Sequence, residues 1–157
     1  MAFTVQDQEA TNWCWAAVAA SVGAISAPRC ESRQFKLVEN ELGGATNCDV
    51  NPGSSVCNKP FYLDVALEDL PRLIDTKGSL PLEQVITELA AKPAVPICVK
   101  IDWRSGGAHY VAIVDVTGTD TLVIEDPKNG HQIPCKYTTF KSHYRNRGTW
   151  SETYLLL

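Results

Sequence analysis

The chain has 157 residues, of which 45% are hydrophobic, 8% aromatic and 20% charged. That composition supplies a core and excludes a disordered tail, and at about 100 to 200 residues per domain it predicts a single domain. Fourteen Lys plus Arg against 18 Asp plus Glu leave a formal charge of -4, with the basic residues scattered, so neither nucleic acid nor an anionic membrane surface is an expected partner. No apolar run approaches the roughly 20 residues of a membrane-spanning helix, and the opening residues lack the charged-then-apolar order of a secretory signal. A soluble protein is expected.

In chain order, Cys14 to Ile25 (CWAAVAASVGAI) is Ala-rich and apolar throughout, with Pro28 just beyond it, which predicts a helix buried on most sides. A second helical pattern runs from about Ser32 to Leu42, with Phe35, Val38 and Leu42 on one stripe and Gly43-Gly44 as the stop. Residues 45 to 59 carry Asn, Pro, Gly and Ser without periodicity and read as a loop. A third helix opens at Ser79 and Pro81, presents Leu82, Val85, Ile86 and Leu89, and closes at Pro93.

Beyond Val95 the pattern changes to β-branched and aromatic runs at 96–103, 109–116, 121–126, around 133–137 and 149–157. Helices first and strands second predict an α+β fold: a helical part over about 1–93 packed against an antiparallel β part over about 94–157.

The six cysteines are Cys14, Cys30, Cys48, Cys57, Cys98 and Cys135. None forms a C-x-x-C pair, so no metal site is expected. Cys30, Cys48 and Cys57 fall in one loop-rich stretch where a disulfide is plausible, its connectivity open. Cys98 and Cys135 lie within strand patterns and are expected to be buried and reduced.

Cys14 opens the apolar helix, where unpaired backbone N–H groups and the helix dipole stabilise negative charge, a fitting place for a thiolate nucleophile. Position alone allows equally for a small core cysteine. Of the three histidines, His109 alone opens a long apolar strand directly after Gly106-Gly107-Ala108, whereas His131 and His143 lie in polar surroundings. A hairpin centred near residues 118 and 119 places Asp126 opposite Val111. His109 is then a diagonal neighbour at about 7 to 8 Å, within side-chain reach. Glu125 falls on the opposite face, and Asp115 lies roughly 20 Å along the strand from His109. Asp126-Pro127 taken alone is also an ordinary turn opening.

Acyl transfer builds negative charge on a carbonyl oxygen, which a side-chain amide beside the nucleophile stabilises. Gln8, six residues before Cys14, is the candidate donor, and Gln6 is a weaker one. Trp13 and Trp15 flank Cys14 and read first as packing, although one can line a cleft. Trp103 and Gly107 are further cleft candidates, with Asp102 to Arg104 as a pocket wall or an exposed strand end and Gly106-Gly107 as a hinge. Arg145 to Gly148 reads as a solvated turn.

With Gln8, the run Asn12-Trp13-Cys14-Trp15-Ala16-Ala17, the strand Gly107-Ala108-His109-Tyr110-Val111 and the pair Asp126-Pro127 in that order, the chain resembles the papain-like cysteine peptidases. Among these it is most similar to the small bacterial members: peptidases that trim leader peptides and effector proteases delivered into host cells. The resemblance implies Cys14 as nucleophile, His109 as general base and then acid, Asp126 as orienter of the imidazole, and Gln8 with the Cys14 N–H as the oxyanion hole. It implies no cofactor, and a monomer acting on a protein or peptide, secreted or delivered into a target cell if the effector analogy holds. Larger papain-type enzymes carry Asn as third member with a shielding Trp shortly after it, whereas Asp126 is followed by Pro127, Lys128 and Asn129. Three alternatives stay open: deamidase or transglutaminase-type acyl transfer from the same site, a papain-fold binding module without catalysis, and an interaction protein in which the cysteines are structural.

Overall fold

The computed structural model describes residues 3–25, 33–128 and 132–157, so Pro28, Cys30, Ser32, Asn129 and His131 lie outside the described residues. Helix α1 spans Cys14–Gly23, and every one of its residues is buried. Its small alanines let three other elements approach closely: α2 (Gln34–Glu41), α3 (Leu63–Asp69) and a strand of the sheet. The stripe expected on α2 is rotated, since Gln34, Leu37 and Val38 are its buried residues. Gln34 is buried because its amide binds the N-terminal segment: it accepts from Glu9 N–H and donates to Gln6 Oε1 and Asp7 O.

The strands are β1 (Leu73–Lys77), β2 (Ile97–Trp103), β3 (Ala108–Thr117), β4 (Thr121–Glu125), β5 (Gln132–Lys136) and β6 (Gly148–Leu156), with α4 (Leu82–Ala91) before β2 and α5 (Tyr137–His143) before β6. They form one antiparallel sheet in the order β1-β6-β2-β3-β4-β5. The α+β architecture expected from the sequence is the one observed, with the central helix beginning at Cys14. The boundary near residue 93 is less clean than expected. β1 comes from the N-terminal part and pairs with β6, while α5 interrupts the strand series.

Alternation along the strands covers both sheet faces. Cys98, Tyr110, Ala112, Tyr154 and Leu156 join the α1–α3 core, while Ile97, Val99, Ile101, Val111, Ile113 and Leu155 join a second core that includes Val85 of α4 and Phe140 of α5. This is the period-two pattern of a strand buried on both sides. Of the stripe expected on α4, Val85 is buried but Ile86 is exposed.

Cys48 and Cys57 form a disulfide. Cys14, Cys98 and Cys135 are free thiols; Cys98 is buried as expected, whereas Cys135, on the edge strand β5, is only partly so. Closing so short a loop contributes about 2 to 3 kcal/mol by the chain-entropy argument, and the loop it closes packs against the start of α1. No described helix is long and apolar enough to cross a membrane.

Candidate active site

Cys14 is the first residue of α1, preceded by Trp13 at the N-cap without a side-chain capping bond, and the first turn carries no acidic residue. The positive end of the helix is therefore left uncompensated at the thiol. The two flanking tryptophans fix this helix start. Trp13 donates its indole N–H to Cys57 O at 2.7 Å and Trp15 to Lys59 O at 3.0 Å, so one is anchored on the disulfide itself and the other two residues beyond it. Asn12 adds a backbone and a side-chain bond to Asn58.

His109, on β3, is 5% exposed, and Cys14 is 9% exposed. The imidazole donates from Nε2 to Asp126 Oδ1 at 2.8 Å, leaving Nδ1 as the nitrogen available to the thiol. Burial works against its charged form, but hydrogen bonds to Asp126 and Cys14 and the charges of both outweigh that, and its pKa rises to about 9. Asp126 is fully buried. Burial pushes its carboxyl up, yet the bond and charge of His109, the Tyr144 hydroxyl and the Lys128 N–H win, holding it at about 2. An ion pair between an imidazolium and a carboxylate results.

The register behind this pairing differs in detail from expectation. The turn Gly118-Thr119-Asp120 is flanked by the pair Thr117↔Thr121, so it holds one residue more than the two-residue turn expected. An irregularity between Ile113 and Asp115 absorbs one residue, after which Ile113 pairs with Ile124 and Ala112 with Glu125. The longer turn and the bulge offset each other, and Asp126 follows within reach of His109. Glu125 points elsewhere, as expected: its Oε1 accepts the Val5 N–H at 2.9 Å.

Trp103 lies flat on the imidazole, with centroids 5.6 Å apart and 21° between planes. It also stacks on Tyr144 and carries the Arg147 guanidinium 5.2 Å from its centre. Its partner across the ladder is Gly148, where an added Cβ would meet Ile101 Cγ2 at 2.5 Å and Trp103 Cζ3 at 2.8 Å. The glycine makes room for the ring. The indole that covers the imidazole comes from the end of β2.

The turn from Arg145 to Gly148 is exposed at Arg145, Asn146 and Arg147, as expected of a solvated turn, but it also reaches the buried Asp126. Tyr144 donates its hydroxyl to Asp126 Oδ2 at 2.6 Å, and Arg145 Nε lies 3.4 Å from the same oxygen. From sequence, Tyr144 is not singled out and Arg145 reads only as part of a solvated turn. The available signal is Asn146 within Arg-Asn-Arg-Gly, a residue type that tolerates the left-handed backbone found at Arg145 and Asn146.

Gln8 is held beside Asp126 through its N–H on Pro127 O at 2.9 Å. Its amide donates to Ala10 O and Thr11 O, and its Oε1 is buried without a hydrogen-bond partner among the described residues. Gln6 Oε1 accepts from Gln34 instead. A cavity of about 210 Å³ opens at Cys14, lined by Trp15, Phe61, Tyr62, Lys100, Ala108 and Tyr110. Trp15 thus lines the cleft, while Trp13 is buried against the loop. Gly107 does not line that cavity; with Gly106 it has a positive φ that closes the β2–β3 turn. His143 is exposed at the end of α5. Among the described residues no group of three or more side chains could hold a metal.

No protein-family model matches the chain, and no curated protein is similar to it in sequence. Among solved structures it is similar to the peptidase domain of Streptococcus ComA, described as a bifunctional ABC transporter involved in a quorum-sensing pathway. The TM-score is 0.62 at 17% sequence identity, over 98% of this chain and 97% of that one. The fold of the chain is therefore the α+β fold of a papain-like peptidase domain.

Proposed function

We propose that the protein is a cysteine peptidase with Cys14 as nucleophile, His109 as general base and then general acid, and Asp126 as orienter of the imidazole. The observation that carries this reading is the buried His109–Asp126 ion pair beside a thiol at an uncapped helix start. The fold of a domain described as a peptidase supports it.

In the proposed cycle, the proton of Cys14 already resides on His109, whose imidazolium faces Asp126, and Cys14 Sγ attacks the substrate carbonyl carbon. The carbonyl π pair moves onto oxygen, opposite the backbone N–H groups at the start of α1. Collapse of that intermediate expels the amine, which takes its proton from His109, and leaves a thioester on Cys14. Water then adds to the thioester while His109 accepts its proton, and the carboxylic acid leaves as the thiol is restored. For Gln8 to add a donor to the oxyanion, its amide must turn from Ala10 O or Thr11 O toward the substrate, which makes it a part completed only when substrate is bound.

Hydrolysis in ¹⁸O-labelled water tests the reaction class. A peptidase yields a new α-carboxyl group carrying one ¹⁸O and an amine fragment. Glutamine side chains converted to glutamate, or joined to an added amine with the peptide backbone intact, assign the same site to deamidation or acyl transfer instead.

A further inference from the structure

Asp126 is held by more than the histidine it orients. Oδ1 accepts from His109 Nε2 at 2.8 Å and from the Lys128 N–H at 2.9 Å. Oδ2 accepts from the Tyr144 hydroxyl at 2.6 Å and faces Arg145 Nε at 3.4 Å. A carboxylate has about four lone-pair sites, and here each has a partner. The side chain therefore cannot rotate without breaking at least one charge-assisted bond.

The turn that delivers Tyr144 and Arg145 is shaped for this. Tyr144 and Gly148 exchange backbone hydrogen bonds at 2.9 Å in both directions. Between them Arg145 and Asn146 take φ of 51° and 66°, an unfavourable region for residues with a Cβ. Such strain persists where surroundings over-determine it, commonly beside functional groups. The left-handed turn brings two consecutive side chains onto one oxygen.

We propose that Tyr144 and Arg145 are positioning residues of the catalytic pair, locking Asp126 ionised and oriented so that His109 presents its other nitrogen to Cys14. This rests on the cysteine-peptidase reading. The ionisable groups facing Asp126 are His109 from β3 and Tyr144 and Arg145 from the turn after α5; the neighbouring Glu125 is directed to Val5. Tyr144 is also a core residue packed on Phe140. A purely structural role therefore predicts loss of stability alone on its replacement, with no change at Asp126.

Five proteins decide the matter: wild type, Tyr144→Phe, Arg145→Gln, Arg145→Lys and, as reference, His109→Ala. The readouts are the ¹³C carboxyl titration of Asp126, the rate of Cys14 alkylation by iodoacetamide at neutral pH, and the thermal midpoint. Tyr144→Phe keeps the ring and is expected to move the Asp126 midpoint up by about one pH unit, with about a tenfold slower alkylation. Arg145→Gln is expected to act in the same direction, and Arg145→Lys to recover most of the rate. An unchanged Asp126 midpoint and alkylation rate in both Tyr144→Phe and Arg145→Gln overturns the proposal, whatever the thermal midpoint does. If wild type and His109→Ala alkylate equally, the peptidase reading fails instead, and the Asp126 titration still decides whether the two residues hold that carboxylate.

Discussion

The Tyr144 hydroxyl lies 2.6 Å from Asp126 Oδ2, the carboxylate oxygen that His109 leaves unused. The carboxylate is thus gripped from two elements distant in sequence, β3 and the turn before β6. Its buried charge is compensated on both sides, the condition under which burying an ion is tolerated.

The ion pair sets a pH dependence. His109 has its pKa raised from 6.5 to about 9, so its stabilisation is complete below about pH 6.5 and is lost as pH rises through about 9. Asp126 is lowered from 3.8 to about 2, so its contribution holds above about pH 4 and is lost as pH falls through about 2. Denaturant unfolding from about pH 6 to about pH 10 should show stability declining on the order of 3 kcal/mol from this pair. The decline should be largely absent in Asp126→Asn. Parallel curves for the two proteins contradict the assignment.

Gly148→Ala puts a Cβ where Trp103 and Ile101 now lie. Overpacking of this kind costs about 1 to 3 kcal/mol, and the indole must leave its place on His109. Thermal denaturation should show the loss, and Cys14 alkylation should slow at the same time. A variant of wild-type stability and reactivity removes any role for this stack.

Cutting the staple should act on the site as well as on stability. In Cys48→Ala with Cys57→Ala, about 2 to 3 kcal/mol of chain-entropy stabilisation is lost. The carbonyls of residues 57 and 59 then hold Trp13 and Trp15 less firmly. Urea unfolding and peptide hydrolysis under conditions where the variant stays folded should both fall. Hydrolysis at the wild-type rate shows that α1 needs no such anchor.

Gln8→Ala separates a transition-state donor from a loop residue. Loss of an oxyanion donor typically lowers kcat by about 100- to 1,000-fold, and an effect confined to the transition state leaves KM near its original value. A change in KM alone assigns Gln8 to ground-state binding.

The main elements are legible because their signals are local. The Ala-rich run after Cys14 reads as a helix, and the β-branched runs from 96 onward read as strands, close to the observed bounds. The short elements escape. Helix α5, YTTFKSH, holds two consecutive β-branched threonines of weak helix propensity, and exposed β1 takes its order from pairing with β6. His109 and Asp126 are brought together by a longer turn and a bulge whose effects offset each other. Beyond the bulge the register is the one that sets Asp126 opposite Val111, so period-two reasoning reaches the right neighbours without either irregularity. Tyr144, Arg145 and the stacked Trp103 depend on long-range packing, for which a single sequence has no periodic marker.

The central claim is an activated thiol at Cys14, and an epoxide inhibitor directed at cysteine peptidases, followed by peptide mass mapping, tests it most directly. The account predicts one modification, on Cys14, abolished in His109→Ala. Modification shared among Cys14, Cys98 and Cys135, or unaffected by loss of His109, contradicts it.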